Sequence, residues 1–194
     1  MMSHKFLIVY GTKEGQTAKI ANCLGEVVVA RGYLADISNA RKIRGKISLD
    51  DYSGVLIGSS VHAGFWSRAV RHFVSRHNSQ LNSLPSAFFS VSLTDATGTP
   101  EQRTLLASNI EKFCNKSGWH PKMVGRFPGA LAFTKYGCCT RWLMKKAAKS
   151  NGQTTDASRD LEYTDWDEVR KFGNEFIDQY LEATRVGVQG EAQR

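Results

Sequence analysis

No apolar run in this sequence reaches the ~18 to 20 residues that a membrane-crossing helix needs. Residues 1–10 also lack the long apolar core and small-residue cleavage site of an export signal, so a cytoplasmic location is expected. Cysteine is scarce, and the four present, Cys23, Cys114, Cys138 and Cys139, form no C-x-x-C pair. Free thiols in a reducing compartment are expected, with neither a disulfide framework nor a metal site. With only 4 prolines, 41% hydrophobic and 23% charged residues, the composition is that of an ordinary globular chain rather than a disordered or fibrous one. At 194 residues, one domain over about 1–184 is expected, followed by a loose, aperiodic tail over 185–194.

The most telling scarcity is of negative charge over one stretch. From Lys112 to Thr155 there is no Asp or Glu, while Lys112, Lys116, Lys122, Arg126, Lys135, Arg141, Lys145, Lys146 and Lys149 supply nine positive charges. The rest of the chain is nearly balanced, with 17 basic and 18 acidic residues, so the net charge of +8 resides in that segment. A localised basic surface faces something anionic, whether nucleic acid, acidic lipid head groups or a carboxylate-bearing substrate, or else it is simply solvated.

What is present alternates in period. Apolar runs of strand length occur at 5–10, 33–38, 54–60 and 86–93, with a shorter or irregular one at 123–131, where Pro128 removes a backbone donor. Between them lie helical spacings: Ala18, Ile20, Ala21, Leu24 and Val28 after the first run, and Phe65, Ala69, Val70, Phe73 and Val74 over 65–77. A third helix is expected from Pro100 to about Ser117, since proline suits a first turn, and a last one from Asp165, a good N-cap, to about Glu182. Strands separated by helices imply right-handed crossovers and a mainly parallel sheet covered on both faces, an α/β fold that binds ligands at the carboxyl ends of its strands. Four of the five runs lead at that end into Gly, Ser or Thr: 11–17, 59–64, 92–98 and Gly129.

The first of these loops, "GTKEGQT", has the makings of an anion site. Backbone N–H groups and the N-terminus of the following helix favour negative charge, Gly15 permits close approach, and Thr12 and Thr17 add hydroxyls. It is not a P-loop, because Gln16 and Thr17 stand where Lys and Ser/Thr would be needed, nor does it fit G-x-G-x-x-G. A tight strand-to-helix turn also uses Gly and Thr, so the loop alone leaves both readings open.

The spacing T-x-x-G-x-T after the first strand resembles the FMN-phosphate loop of flavodoxins, departing from it at Glu14, an acid that would have to turn to solvent or to Lys13. The blocks "GTKEGQT", "GSSVHAGFWSRAVRHFV", "LNSLPSAFFSVSL", "PGALAFTKY" and "LEYTDWDEV", over about 5–172, are similar in order and spacing to the menaquinone-dependent protoporphyrinogen IX dehydrogenases of the flavodoxin superfamily, the bacterial haem-biosynthesis type. The resemblance implies a flavodoxin-like three-layer sandwich with a five-stranded parallel sheet in order 2-1-3-4-5, one FMN, and oxidation of protoporphyrinogen IX with delivery of electrons to menaquinone or ubiquinone. It places Thr12, Lys13, Glu14, Gly15, Gln16 and Thr17 at the phosphate. Ser59, Ser60, Val61, His62, Ala63 and Gly64, with Ser92, Leu93, Thr94 and Gly98, flank the flavin ring. The loop after the fourth strand holds no aromatic to stack on that ring, so His62, Phe65 or Trp66 is expected to cover it, although Phe65 and Trp66 read equally well as helix core. No catalytic acid or base is singled out, since in a flavoprotein the cofactor carries the redox chemistry.

About 35 residues, Ala130 to Thr164, intervene before the last helix as a long insertion after strand five, coinciding with much of the acid-free segment. A helix over Cys138–Lys149 would gather Arg141, Trp142, Lys145, Lys146 and Lys149 on one arc opposite Cys139, Leu143, Met144, Ala147 and Ala148. With Lys135, that arc suits an anionic membrane surface on the inner face of the cell membrane, the two propionates of the porphyrinogen, or plain packing on the domain. A nucleic-acid partner is not expected. A flavodoxin-type electron carrier and a flavin-dependent quinone reductase are the rival readings, the first at odds with the basic charge and the second without a dinucleotide fingerprint.

Overall fold

The computed structural model describes residues 4–43, 47–62, 64–131 and 160–191. Strands β1 (Lys5–Gly11), β2 (Leu34–Asn39), β3 (Gly54–His62), β4 (Phe65–Trp66), β5 (Ser86–Ser92) and β6 (Met123–Pro128) make one sheet. Its order is β2-β1-β3-β5-β6, with all four of these pairings parallel and β4 joined antiparallel to β3. Apart from the two-residue β4, this is the expected order 2-1-3-4-5. The α-helices are α1 (Gln16–Ala30), α2 (Arg68–Ser83), α3 (Leu93–Thr97), α4 (Pro100–Ser117) and α5 (Trp166–Glu191).

Alternation along each strand divides the core in two, because successive strand side chains point to opposite faces. Phe6, Ile8, Leu56 and Phe89 pack with Ile20, Leu24 and Val28 of α1 and Val169, Phe172 and Phe176 of α5. Leu7, Val9, Val55, Ile57 and Phe88 pack on the other side with Val70, Phe73 and Val74 of α2 and Leu106, Ile110 and Phe113 of α4. The central strand β3 is buried from Gly54 through Ser59, as a parallel strand covered on both faces should be. Pro128 ends β6, an outer strand where a missing donor costs least.

Local chemistry sets the helix ends. Thr99 and Gln102 form a reciprocal capping box on either side of Pro100, with Gln102 N–H donating to Thr99 Oγ1 and Thr99 N–H to Gln102 Oε1. Gly118 closes α4 in the left-handed region, φ 68°. Asp165 caps α5, its Oδ1 accepting from the N–H groups of Asp167 and Glu168. That helix runs on to Glu191, beyond the end expected near Glu182.

The second helix also differs from expectation. It begins at Arg68 rather than 65, because Phe65 and Trp66 pair with His62 and Val61 as a short antiparallel hairpin. Trp66 still reaches the core, with ring centroids 5.3 Å from Phe88 and 5.8 Å from Phe113, whereas Phe65 is 71% exposed. Cys23 and Cys114 are buried free thiols, and burial pushes both up from the ordinary thiol value. Cys138, Cys139 and the candidate basic helix over 138–149 lie outside the described residues.

Candidate functional site

The parallel register brings the carboxyl ends of β1, β3, β5 and β6 to one edge: Gly11 pairs with Ser59, Ser60 with Val91, and Ser92 with Pro128. A cleft of about 270 Å³ opens there. Thr12, Glu14, Gln16 and Thr17 line it from the first loop, Ser60, Val61, His62 and Gly64 from the β3–β4 hairpin, and Ser92, Leu93 and Thr94 from the end of β5. Strand geometry thus joins segments that are far apart in sequence at the crevice where open α/β sheets bind ligands.

The first loop turns on Gly15, whose φ of 109° lies where a side chain would be strained. Its N–H donates to Thr12 Oγ1 at 2.9 Å, and its carbonyl accepts from Ala18 and Lys19 at 3.0 and 3.2 Å. Among the described residues no side chain caps the start of α1, and its first turn holds no acid. Such a helix end presents N–H groups and the positive end of its dipole. Thr17 is fully buried in the same turn, and its Oγ1 has no hydrogen-bond partner among the described residues. A buried hydroxyl without a partner is costly in a folded protein, and at a helix N-terminus the acceptor that fits it is an anion.

The remaining first-loop residues divide. Lys13 is exposed and does not line the cleft. Gln16 is committed sideways: its Nε2 donates to Thr164 Oγ1 at 2.8 Å, and that hydroxyl donates to the Pro128 carbonyl at 2.7 Å. This chain ties the start of α1 to the end of β6 and to the segment entering α5. Glu162 adds to it, accepting from Lys19 Nζ at 2.6 Å and from Trp166 Nε1 at 2.9 Å.

Glu14, the departure from the flavodoxin loop, turns neither to solvent nor to Lys13 in a close pair. Its Oε2 lies 3.0 Å from His62 Nε2, joining the first loop to the β3–β4 hairpin. Burial opposes ionisation of Glu14, but the close contact with His62 and the electrostatic contributions of His62 and Lys13 outweigh it, so the carboxyl sits below its ordinary value. A lowered folded-state value contributes stability above the unfolded-state value and loses it as pH falls through the folded one. Glu14→Gln is therefore expected to be less stable than the parent near neutrality, with the gap closing on acidification. Urea midpoints from about pH 7 to about pH 3 check this, and a gap independent of pH would assign the effect to packing instead.

Two sequence candidates, Ser59 and Gly98, hold up the cleft rather than line it. Ser59 Oγ accepts the Ser67 N–H at 3.0 Å and donates to the Ser60 carbonyl at 3.1 Å, which ties β3 to the start of α2. The stretch after β5 is not an open loop: Ser92 Oγ accepts from Thr94 N–H, and α3 follows. Gly98 ends that helix, its N–H donating to the Thr94 carbonyl at 3.0 Å, and a Cβ there would stand 2.6 Å from that same oxygen. Asp95 anchors α3 to β6 by accepting from Arg126 Nε and Nη2 at 3.0 and 2.6 Å. Burial nonetheless outweighs Arg126 and pushes the Asp95 carboxyl up. One of the nine positive charges is thereby used structurally.

Of the three candidates for covering a flat ligand, His62 alone lines this cleft. Trp66 faces the core, and Phe65 borders a separate pocket. Ala63, Lys135, Arg141, Trp142, Lys145, Lys146 and Lys149 lie outside the described residues. Val91 and Ala130 also line the cleft, the first as a strand-end residue and the second as the start of the insertion. Strand β7 (Ala130–Leu131) pairs antiparallel with β8 (Leu161–Glu162), and Tyr163 N–H donates to the Gly129 carbonyl. The insertion therefore leaves and re-enters the domain beside the cleft.

The flavodoxin domain family matches residues 7–158. The chain is 36% identical over 172 residues to the protoporphyrinogen IX dehydrogenase [quinone] of Escherichia coli (strain K12), covering 88% of this chain and 93% of that one. It is 36% identical over 180 residues to the protein of the same name from Leishmania major, covering 90% of this chain and 75% of that one. Among solved structures it is similar to oxidised flavodoxin 1 from Bacillus cereus, with a TM-score of 0.58 and 12% identity over 90% of this chain and 97% of that one, a likeness of fold. On the strand order, the cleft at the strand ends and these likenesses, the chain belongs to the flavodoxin domain family and, within it, to the protoporphyrinogen IX dehydrogenases [quinone].

Proposed function

We propose that this chain is an FMN-dependent dehydrogenase that oxidises protoporphyrinogen IX to protoporphyrin IX in haem biosynthesis and passes the electrons to a membrane quinone, menaquinone or ubiquinone. The observation that carries it is one cleft at which an anion-ready helix start and both ends of a long insertion meet. The chemistry of the donor set fits a phosphate monoester. The α1 N–H groups, the Thr12 hydroxyl and the unpartnered Thr17 hydroxyl supply donors, and Gly15 lets the backbone approach. FMN, when bound, supplies the hydrogen and electron transfer. The chain's own work is to hold the phosphate with these groups, to wall the ring with Ser60–His62, Gly64 and Ser92–Thr94, and to fix His62 on the wall through Glu14.

The insertion is read as the part that makes the domain an enzyme rather than a carrier. Its cations, Lys135, Arg141, Lys145, Lys146 and Lys149, with Trp142, would meet an anionic surface, that of the membrane or of the substrate. None of the helices among the described residues is long and apolar enough to cross a membrane. From the basic insertion and the quinone acceptor, the proposed location is cytoplasmic and peripheral, on the inner face of the cell membrane.

The test is direct. Purified protein should show a flavin spectrum and should generate porphyrin fluorescence from protoporphyrinogen only when a quinone is supplied. Absence of flavin would sink the reading. Flavin without quinone-dependent porphyrin formation would leave an electron carrier or a quinone reductase.

A further inference from the structure

A second pocket, of about 410 Å³, lies between α2 and α4 on the far side of the β3–β4 turn. Its apolar part is aromatic: Trp66 and Phe113, each 7% exposed, with Phe65 standing 71% exposed beside them. Its polar rim is cationic, with Arg71 from α2 facing Lys112 and Lys116 from α4. Among the described residues no carboxylate lines it, and none of these three cations is in an ion pair. Lys112 and Lys116 are one turn apart, a like-charge spacing that weakens a helix unless an anion offsets it. These two lysines also begin the acid-free stretch of the sequence, so part of the basic surface is built here, on the domain itself and not on the insertion.

An aromatic well with a cationic rim fits a flat apolar body that carries carboxylates. The pocket also adjoins the proposed FMN cleft, because Gly64 borders both. Asn109 of α4 backs that shared turn, its Nδ2 3.9 Å from where a Cβ on Gly64 would stand. Of the two reactants named above, the quinone head group is uncharged, and only the tetrapyrrole offers anions to three cations. Resting on the proposed function, we infer that the α2–α4 pocket receives a carboxylate arm of the tetrapyrrole, held by Arg71, Lys112 and Lys116 while its ring edge lies on Phe65.

The test uses the FMN-loaded protein, the double variant Lys112→Ala/Lys116→Ala and the single variant Arg71→Ala. All three positions are exposed, so flavin content and melting temperature should match the parent. Binding of protoporphyrin IX, followed by fluorescence, is expected to weaken about tenfold in the double variant. Binding of its dimethyl ester, which lacks the charges, should be unchanged. In turnover assays KM for the porphyrinogen should rise while KM for the quinone stays fixed. Equal losses for acid and ester, or no loss for either, would overturn the inference. So would loss of binding to phosphatidylglycerol vesicles with porphyrin binding intact, which would make the patch a membrane contact. Acid-selective porphyrin binding in a protein that never turns over would uphold the pocket and bring down the proposed function instead.

Discussion

Replacing Thr17 with valine is expected to weaken FMN binding by about tenfold to a hundredfold while leaving the cofactor-free protein at least as stable as the parent. The side chain is fully buried, and its hydroxyl has no partner among the described residues. In the cofactor-free protein that hydroxyl is therefore desolvated without compensation, and an isosteric methyl removes the cost. With the phosphate in place the same hydroxyl donates to a charged acceptor, a bond worth about 1.5–3 kcal/mol. The two effects have opposite signs, which separates a ligand-directed hydroxyl from a structural one. Titrating both proteins with FMN and with riboflavin, which lacks the phosphate, checks the assignment. The loss should appear with FMN and not with riboflavin, and an equal loss with both would refute it. A valine variant that melts lower without cofactor would place Thr17 in the scaffold.

Much of this site was readable in the sequence because its supports are local. β1 and β5 are short apolar runs, each leading into small hydroxyl or glycine residues, and the parallel order then has few solutions. Gly15, Thr12 and Thr17 all lie in one strand-to-helix turn, so their relation depends on six consecutive residues and on nothing distant. What was not readable depends on the sheet. The Glu14–His62 pair exists because β1 and β3 are neighbours, and the bond from Gln16 to Thr164 crosses 148 residues of sequence. No local pattern encodes either.

Phe65 and Trp66 show a different limit. Their spacing from Ala69, Val70 and Phe73 fits a helical stripe, yet the backbone there is a two-residue hairpin, too short to carry a period of its own. Burial of Trp66 could be read from its residue type, but not the backbone that delivers it. Ser59 and Gly98 were legible as small residues at a strand end or a turn. Their roles, pinning β3 to α2 and closing α3, emerge only when the partners Ser67 and Thr94 are in place.

The largest loss of stability is expected from Gly58→Ala. Gly58 lies in β3 immediately before the cleft-lining hairpin, paired in register with Phe89 of β5. The Phe89 ring covers it so closely that an added Cβ would stand 2.0 Å from Cζ and 2.1 Å from Cε2. That ring is fully buried, packed in the same core cluster as Phe127 and Val91, so it cannot swing into solvent. Overpacking a filled core costs about 1–3 kcal/mol, and a ring locked on both sides belongs near the top of that range. Denaturant midpoints at constant slope measure the loss. Phe89→Leu alone should also destabilise, by leaving a void. In the double variant Gly58→Ala/Phe89→Leu, the methyl fills part of that void, so the combined loss should be clearly smaller than the two single losses added together. Strict additivity would show that the ring does not rest on Gly58. Because β3 itself carries Ser60–His62, the single variant should also bind FMN more weakly, and the double variant should recover binding along with stability.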